Sequence, residues 1–445
     1  MKRVLVISYY WPPAGGSGVQ RWVKFAKYLP AEGWQPVIYT PLNPELSSVD
    51  ETLLKDIPPE AEIIKRPITE PYSFYRRLFG SHSSTDMQTL IKESAATATG
   101  GEVNPISGGA KSWKQSLSLW IRGNLFVPDP RVWWVGPSVR FLKKYLRDHP
   151  VDVIVTTGPP QSMHLIGRGL HRATGIPWVA DFRDPWTKMF YYKHLHLGAA
   201  ADRRHHRLEK SVLDEATAVI SVSPLVQQEF QQMTGTPVVL ITNGFDEEDF
   251  ASIPAGEKAA KREEFRVVHT GLFAADGNPL ALWDALAAKC AEDEAFASAL
   301  RIRLAGKVDA PIIEALNTRG LSDKVDNLGY CAHDAAVSEQ RAASLLILPL
   351  RQEPEYRSVL PGKIFEYLAA GRPILGIGQE DGAAARILSD TRTGTMLDWD
   401  RSERIRAAID DAWEGTFPFA PAGIGQYSRK SLTHTLATLL ETMKI

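Results

Sequence analysis

The sequence predicts an α/β protein made of two parallel-sheet units. Three observations carry that expectation. Short apolar runs alternate with amphipathic helical stretches along both halves of the chain, the pattern of strand–helix–strand crossovers. A charged, small-residue interruption between Asn243 and Phe265 separates one series from the other. The 445 residues, 44% hydrophobic and 23% charged, suit two domains of ordinary size and argue against disorder.

The elements follow in order. Arg3 to Ser8 is a short apolar run, as a buried parallel strand requires. A Pro- and Gly-rich loop covers Tyr9 to Ser17. Helical spacing follows in Val19, Trp22, Val23, Phe25, Ala26 and Leu29, and Pro36 to Thr40 is the next strand. Strand, glycine loop, helix and strand make a mononucleotide-type βαβ unit. Residues 72–147 interrupt the alternation. They hold an aromatic-basic tract from Tyr72 to Phe79, a small polar stretch from Ser94 to Ser112 that has the composition of a mobile loop, and four of the 12 tryptophans between Trp113 and Trp134.

Alternation then resumes. Strands are expected at Asp152–Thr156, Pro177–Asp181, Thr217–Val222 and Pro237–Thr242, with helices at Ser162–Ala173, His205–Glu215 and Pro224–Met233. The second series runs from a strand at Arg266–Thr270 through a helix at Pro279–Ala291, a strand at Arg301–Ala305, a helix at Ala310–Thr318 and strands at Val325–Leu328 and Ser344–Leu348. Leu432, Leu436, Leu439, Leu440 and Met443 fall on one face of a last helix. The domains are expected at 1–245 and 263–425, with 426–445 as the closing helix.

Composition excludes several functions. A net charge of −1 gives no global attraction to nucleic acid. The two cysteines, Cys290 and Cys331, supply neither a disulfide framework nor a metal set, and a reducing cytosol suits them. The start, MKRVLVISYYWPP, reads as a first strand rather than a signal peptide. There is no run of ~18 apolar residues such as a membrane span needs. The sequence contains no H-E-x-x-H, Walker A, paired C-x-x-C or G-x-S-x-G motif.

Most of the chemistry gathers in P-G-K-I-F-E-Y-L-A-A-G-R-P-I-L, from Pro361 to Leu375. Pro361 and Gly362 open a helix, Gly371 closes it, and Ile374 begins a buried strand. Ile364 and Leu368 pack inward, while Lys363 and Glu366 share another face. A lysine at a helix start suits phosphate, and a carboxylate accepts from ribose hydroxyls. The same spacing also fits an ordinary surface ion pair. Gly15, Gly16, Ser17 and Gly18 form a glycine loop before a helix, where backbone can approach an anion or simply turn. A dinucleotide site would need G-x-G-x-x-G, but Arg21 stands at the last glycine, and Thr40 and Pro41 stand where the acidic ribose ligand belongs. A nicotinamide enzyme is disfavoured accordingly. Asp181-Phe182-Arg183-Asp184-Pro185-Trp186 ends a strand. Arg183 offers a planar fork for phosphate or carboxylate, or sits between Asp181 and Asp184 as a local ion-pair cluster. His164, in the helix after Pro159-Pro160, reads as a packed histidine.

In order, the glycine loop, D-F-R-D-P-W, the turn Asn243-Gly244-Phe245-Asp246, His269-Thr270-Gly271 and K-I-F-E-Y-L-A-A-G-R-P resemble the GT-B glycosyltransferases, family 4 in particular. The resemblance implies two Rossmann-like parallel-sheet domains facing a cleft, with a last helix crossing back to the first domain. It implies transfer of a sugar from a nucleotide-activated donor, with retention and without metal or other cofactor; Asp181 and Asp184 could suggest a metal pair, but metal-using glycosyltransferases show Asp-x-Asp, and their spacing does not fit. Glu366 matches the second glutamate of the family's Glu-x7-Glu motif, the ribose ligand; Ser358 stands where the first belongs. The family's Arg and Lys after the second domain's first glycine are missing: Leu272 and Phe273 follow Gly271, and Asn278 lies near the usual Lys.

Candidates for the donor site are Gly271, Lys307, Arg357, Ser358, Pro361, Gly362, Lys363 and Glu366, with Lys307, Arg357 and Lys363 replacing the lost charge. Arg183, Asp184 and Lys363 are the catalytic candidates, and the loop Gly15–Gly18 faces the reaction centre. The acceptor is expected to be a glycan or lipid-linked precursor of a surface polysaccharide. Arg76, Arg77, Arg122, Lys143 and Lys144, with Trp120, Leu125 and Phe126, would then give a cytoplasmic chain peripheral contact with the inner membrane surface; the other reading is that these tracts are core. Two alternatives stay open: a nucleotide-sugar epimerase on the same fold, and a non-catalytic nucleotide-sugar-binding member.

Overall fold

The computed structural model describes residues 1–46, 49–69, 124, 126–189, 192–195, 197–251 and 264–443. Two compact units divide the chain: Met1–Ile241 with Thr433–Ile445, and Thr242–Leu432.

The first unit is built on seven parallel strands: β1 (Lys2–Ile7), β2 (Trp34–Pro41), β3 (Glu62–Arg66), β4 (Val153–Gly158), β5 (Trp178–Phe182), β6 (Ala218–Ser221) and β7 (Val238–Leu240). Their order is β3-β2-β1-β4-β5-β6-β7. Val4, Leu5, Val6 and Ile7 are all fully buried, which explains the continuous apolar run. The order reverses beside β1, which pairs β2 on one side and β4 on the other (Ile7 opposite Tyr39 and Thr156). At such a switch point the connections leave toward opposite faces and open a crevice at the strand carboxyl ends.

The second unit holds six parallel strands: β8 (Phe265–Thr270), β9 (Leu300–Ala305), β10 (Val325–Gly329), β11 (Leu345–Pro349), β12 (Ile374–Ile377) and β13 (Gly394–Leu397). The order β10-β9-β8-β11-β12-β13 puts the reversal between β8 and β11. Trp283, Leu286, Phe296, Ile302, Ile347 and Leu375 are buried in its core. The expected helix runs from Lys363 to Ala370, and Gly371 caps it at φ 68° in the left-handed region. Ile364 and Leu368 are buried on its inner face.

Several elements differ from the sequence reading. β3 and the helix His333–Ala342 have too few aligned apolar residues to stand out, and the helix Val132–Asp148 has an apolar face, with Trp134, Leu142 and Leu146 buried, that Gly136 and Pro137 interrupt. The helix expected from His205 begins at Ala199; its first turns hold alanines and charged residues that are mostly exposed, with Ala201 buried. The tract from Tyr72 to Phe79, the stretch from Ser94 to Ser112, Arg122, Trp120 and Leu125 lie outside the described residues. In the second aromatic tract Trp134 is core, stacked on Tyr39 at 4.9 Å, whereas Trp133 is about half exposed. No helix among the described residues is long and apolar enough to cross a membrane.

One buried charge pair ties the first unit together. Asp181, at the end of β5, has no solvent exposure, and neither does Arg21 on the helix Ser17–Tyr28. The carboxylate accepts from Arg21 Nη2 at 2.9 Å and Nε at 3.1 Å, from Trp22 Nε1 at 2.7 Å and from Thr157 Oγ1 at 3.0 Å. Arg21 also donates to the Ile241 carbonyl at 2.9 Å. Burial works to raise the Asp181 pKa, but the charge and hydrogen bonds of Arg21 outweigh it and hold the group below the usual carboxylate range. Removing one partner would leave the other charge buried alone. Asp181→Asn is therefore expected to lower the unfolding free energy by about 3–5 kcal/mol in urea denaturation, with Arg21→Met/Asp181→Leu costing less than the single change. A loss below about 1 kcal/mol for Asp181→Asn would mean that the pair does not carry this part of the fold.

Candidate functional site

In the second unit three neighbouring strands end on glycines with positive φ. Gly271 (φ 89°) follows β8, Gly306 (φ 138°) follows β9, and Gly329 (φ 64°) closes β10. The Gly271 N–H donates to the Ala305 carbonyl at 2.7 Å, and the Gly306 N–H to the Gly329 carbonyl at 2.6 Å. A Cβ on Gly306 would overlap the Gly271 backbone. The result is a main-chain ledge of three strand ends without Cβ atoms, beginning at the switch point.

Lys363 stands over this ledge, and its Nζ would lie 3.5 Å from a Cβ placed on Gly271. The ammonium donates to His269 Nε2 at 3.1 Å and to the Leu272 carbonyl at 3.2 Å. An ammonium has three N–H groups, so one remains for a ligand. With Lys363 charged, Nε2 accepts from it and Nδ1 carries the proton for the Ile347 carbonyl at 3.2 Å, while the Leu272 carbonyl lies 3.4 Å from the same Nε2. Burial first, and the Lys363 charge second, hold the His269 pKa well below its ordinary value. Burial likewise pushes the Lys363 pKa down to about 8, against the pull of Glu366.

Lys363 and Glu366 do not pair with each other, which sets aside the surface ion pair. Glu366 Oε2 accepts from Gln340 Nε2 at 3.0 Å, and Gln340 Nε2 also donates to Thr270 Oγ1 at 2.9 Å. The Thr270 N–H donates to the Tyr367 hydroxyl at 3.0 Å. Gln340, Tyr367 and Gly329 escape sequence reasoning. Gln340 lies in a short helix without a motif, Tyr367 reads as core, and Gly329 is the only one of the three with a signal, a glycine closing a strand.

The other donor-side candidates are placed as follows. Lys307 is exposed beside Gly306, and its carbonyl accepts the Phe273 N–H at 2.9 Å. Arg357 is exposed and pairs with Asp381 at 2.8 Å. Ser358 donates its hydroxyl to the Glu355 carbonyl at 3.0 Å. Pro361 and Gly362 supply carbonyls to the first turn of Lys363–Ala370, accepting from Ile364 and Phe365. Asn278 is structural, since its Oδ1 accepts from Trp283 Nε1 at 2.7 Å.

In the first unit the glycine loop and the D-F-R-D segment meet. The Arg183 guanidinium lies against Gly18, where any Cβ would collide with it. Gly16, at φ 101°, makes the turn into the helix that Ser17 begins, and Gly15 precedes it. Arg183 is not held between Asp181 and Asp184. Asp181 is committed to Arg21, so Arg183 donates instead to the Gly158 carbonyl (Nε, 3.3 Å) and the Pro159 carbonyl. Asp184 is half-buried, and that burial raises its pKa despite Arg183. Arg21, which breaks the dinucleotide glycine pattern, does so because its side chain turns inward to Asp181. His164 is fully buried and stacked on Phe182 at 4.5 Å, and burial brings its pKa down to about 3, so it is a neutral core group.

Two doubly wound parallel sheets, each with its polar groups at the switch point, define the GT-B architecture. Residues 112–249 match the family model described as Glycosyltransferase Family 4, and residues 264–414 match that described as Glycosyl transferases group 1. The chain belongs to these glycosyltransferases.

Solved structures share the fold over nearly the whole chain. Sucrose-phosphate synthase from Thermosynechococcus elongatus is 14% identical with a TM-score of 0.53, over 100% of this chain and 95% of that one. α,α-Trehalose 6-phosphate synthase from Burkholderia multivorans is 11% identical with a TM-score of 0.58, over 99% of both. A chain described as a UDP-N-acetylglucosamine 2-epimerase from Listeria monocytogenes is 8% identical with a TM-score of 0.54, over 99% and 96%. At these identities the likeness is one of fold alone. No curated protein matched the sequence.

The ledge makes its own prediction. Gly306→Ala must move backbone and holds a strained φ, so it is expected to destabilise by about 3 kcal/mol in chemical denaturation. Gly362→Ala, whose Cβ meets open space, is expected to change stability by less than about 0.5 kcal/mol. Equal, small effects would mean that the glycines are not closely packed.

Proposed function

We propose that this glycosyltransferase binds a nucleoside-diphosphate sugar on the second unit and transfers the sugar, with retention and without a metal, to a glycan or lipid-linked acceptor of surface polysaccharide synthesis. One observation carries the reading: the Lys363 ammonium is aimed over the glycine ledge by two acceptors and keeps one N–H for a ligand. A fixed positive charge of this kind stabilises the diphosphate as the sugar–oxygen bond breaks and charge builds on the leaving group. Preorganisation matters here, because His269 and Leu272 have already oriented the ammonium.

Glu366 accepts from the ribose hydroxyls with the oxygen that Gln340 leaves open. Lys307, exposed beside Gly306, is the second cation within the ledge. Arg357 serves only by exchanging Asp381, and an exposed pair of that kind is worth about 0–1 kcal/mol. On the first unit, Arg183 on Gly18 and the loop of Gly15, Gly16, Ser17 and Gly18 serve the acceptor and reaction centre, with Asp184 beside Arg183. Peripheral contact with an anionic bilayer belongs to the same reading. Lys143 and Lys144 are exposed, and Phe126 is half-buried. Flotation with anionic vesicles at low salt tests it, and a chain that stays at the bottom of the gradient refutes the contact.

The donor reading is tested by calorimetry with UDP, GDP, ADP and CDP, and by transfer assays that are expected to survive EDTA. The pH dependence follows from the lowered Lys363 pKa. Below about 8 the ammonium is present and binds diphosphate; as pH rises through about 8 the free protein loses that charge. Affinity is therefore expected to fall as pH rises from 7 to 9. Lys363→Met should bind about 10- to 100-fold more weakly at pH 7, the loss of charge-assisted hydrogen bonds of about 1.5–3 kcal/mol, and should lose that pH dependence. Wild-type affinity in this variant would remove Lys363 from the diphosphate site.

A further inference from the structure

We infer that Gln340 is a positioning residue for Glu366 and, through it, sets the preference of the donor site for a ribonucleotide. The inference rests on the donor reading above. Gln340 is completely buried on the helix His333–Ala342, away from the sequence segments that carry the family resemblance. Both hydrogens of its amide are directed to oxygens, Thr270 Oγ1 at 2.9 Å and Glu366 Oε2 at 3.0 Å. The amide cannot be turned over, because its carbonyl oxygen would then face the carboxylate.

In this orientation Gln340 Oε1 is buried and has no hydrogen-bond partner. A buried acceptor left unsatisfied is a cost that folding normally avoids. Gln340 is thus held in place by the two acceptors it serves. A neutral donor also suits the task. Lysine or arginine at this position would neutralise the carboxylate, whereas an amide fixes Glu366 and leaves its charge for hydrogen bonds to hydroxyls.

The contacts close on themselves. Thr270 ends β8 at the switch point and donates its N–H to Tyr367, the residue after Glu366 on the same helix. Strand end, glutamine, carboxylate and helix therefore form one loop of contacts. It pins Oε2 of Glu366 while Oε1 stays without a protein donor among the described residues. A ribose 2′,3′-diol is the ligand chemistry that such an oriented, charged acceptor selects. A 2′-deoxyribose offers it one donor fewer.

The experiment compares wild type, Gln340→Met, Glu366→Gln and the double variant as full chains. Dissociation constants are measured by calorimetry for UDP, GDP, ADP and CDP, for their 2′-deoxy counterparts and for inorganic pyrophosphate. Wild type is expected to prefer the ribonucleotide by about 10-fold. Gln340→Met is expected to bring that ratio close to one and to leave pyrophosphate affinity unchanged. In the Glu366→Gln background it should have no further effect on the ratio. A ribo/deoxy ratio that survives Gln340→Met overturns the positioning role. So does a loss shared equally by pyrophosphate, which would mark general damage to the site. If wild type binds none of the nucleotides, the donor reading itself falls, and this inference falls with it.

Discussion

A parallel sheet whose strand order reverses internally must leave an opening at the carboxyl ends of the two strands at the reversal, because the connections there depart to opposite faces. Both units obey this constraint, at β1/β4 and at β8/β11. What distinguishes the units is how each furnishes the opening. In the first, Arg183 lies on Gly18 beside the carbonyls of β4's end. In the second, three strand ends are stripped to glycine and a lysine is brought over them.

The buried polar groups divide in a way that bears on function. Asp181 is saturated by Arg21, Trp22 and Thr157, so nothing is left to offer a ligand, and its energy goes into stability. Lys363 is held by two acceptors and Glu366 by one donor, and both keep capacity for a ligand: one N–H on the ammonium and the second oxygen of the carboxylate. A neutral His269 orients the ammonium without cancelling it, and a neutral Gln340 orients the carboxylate likewise. Neutral partners that fix a charge without quenching it are what a binding site needs and a structural core does not.

Much of this was legible in the sequence. The buried strands were visible because both faces are covered, and the helix Lys363–Ala370 because proline and glycine mark its ends and Ile364 and Leu368 its inner face. Lys363 and Glu366 stood out by spacing and by family resemblance. Spacing could not tell that they avoid each other, because their partners come from β8, the loop after it and the helix His333–Ala342, some 26 to 94 positions away. Arg183 has Asp181 and Asp184 as its nearest aspartates in sequence, but Asp181 is taken by Arg21, 160 residues earlier in the chain. Gln340 carried no local signal at all, since its role exists only once β8 and two helices have been packed together. Long-range hydrogen bonds of this kind are set by topology, which a periodicity argument does not reach.

Amide hydrogen exchange of the full chain, with and without a saturating nucleoside diphosphate, tests the central claim most directly. The account predicts slower exchange at residues 269–273, 306–307 and 362–366, where the ledge and Lys363 lie, with no comparable change around residues 15–18 and 182–184. Protection confined to the latter segments, or bound nucleotide with no protection at the ledge, would contradict it.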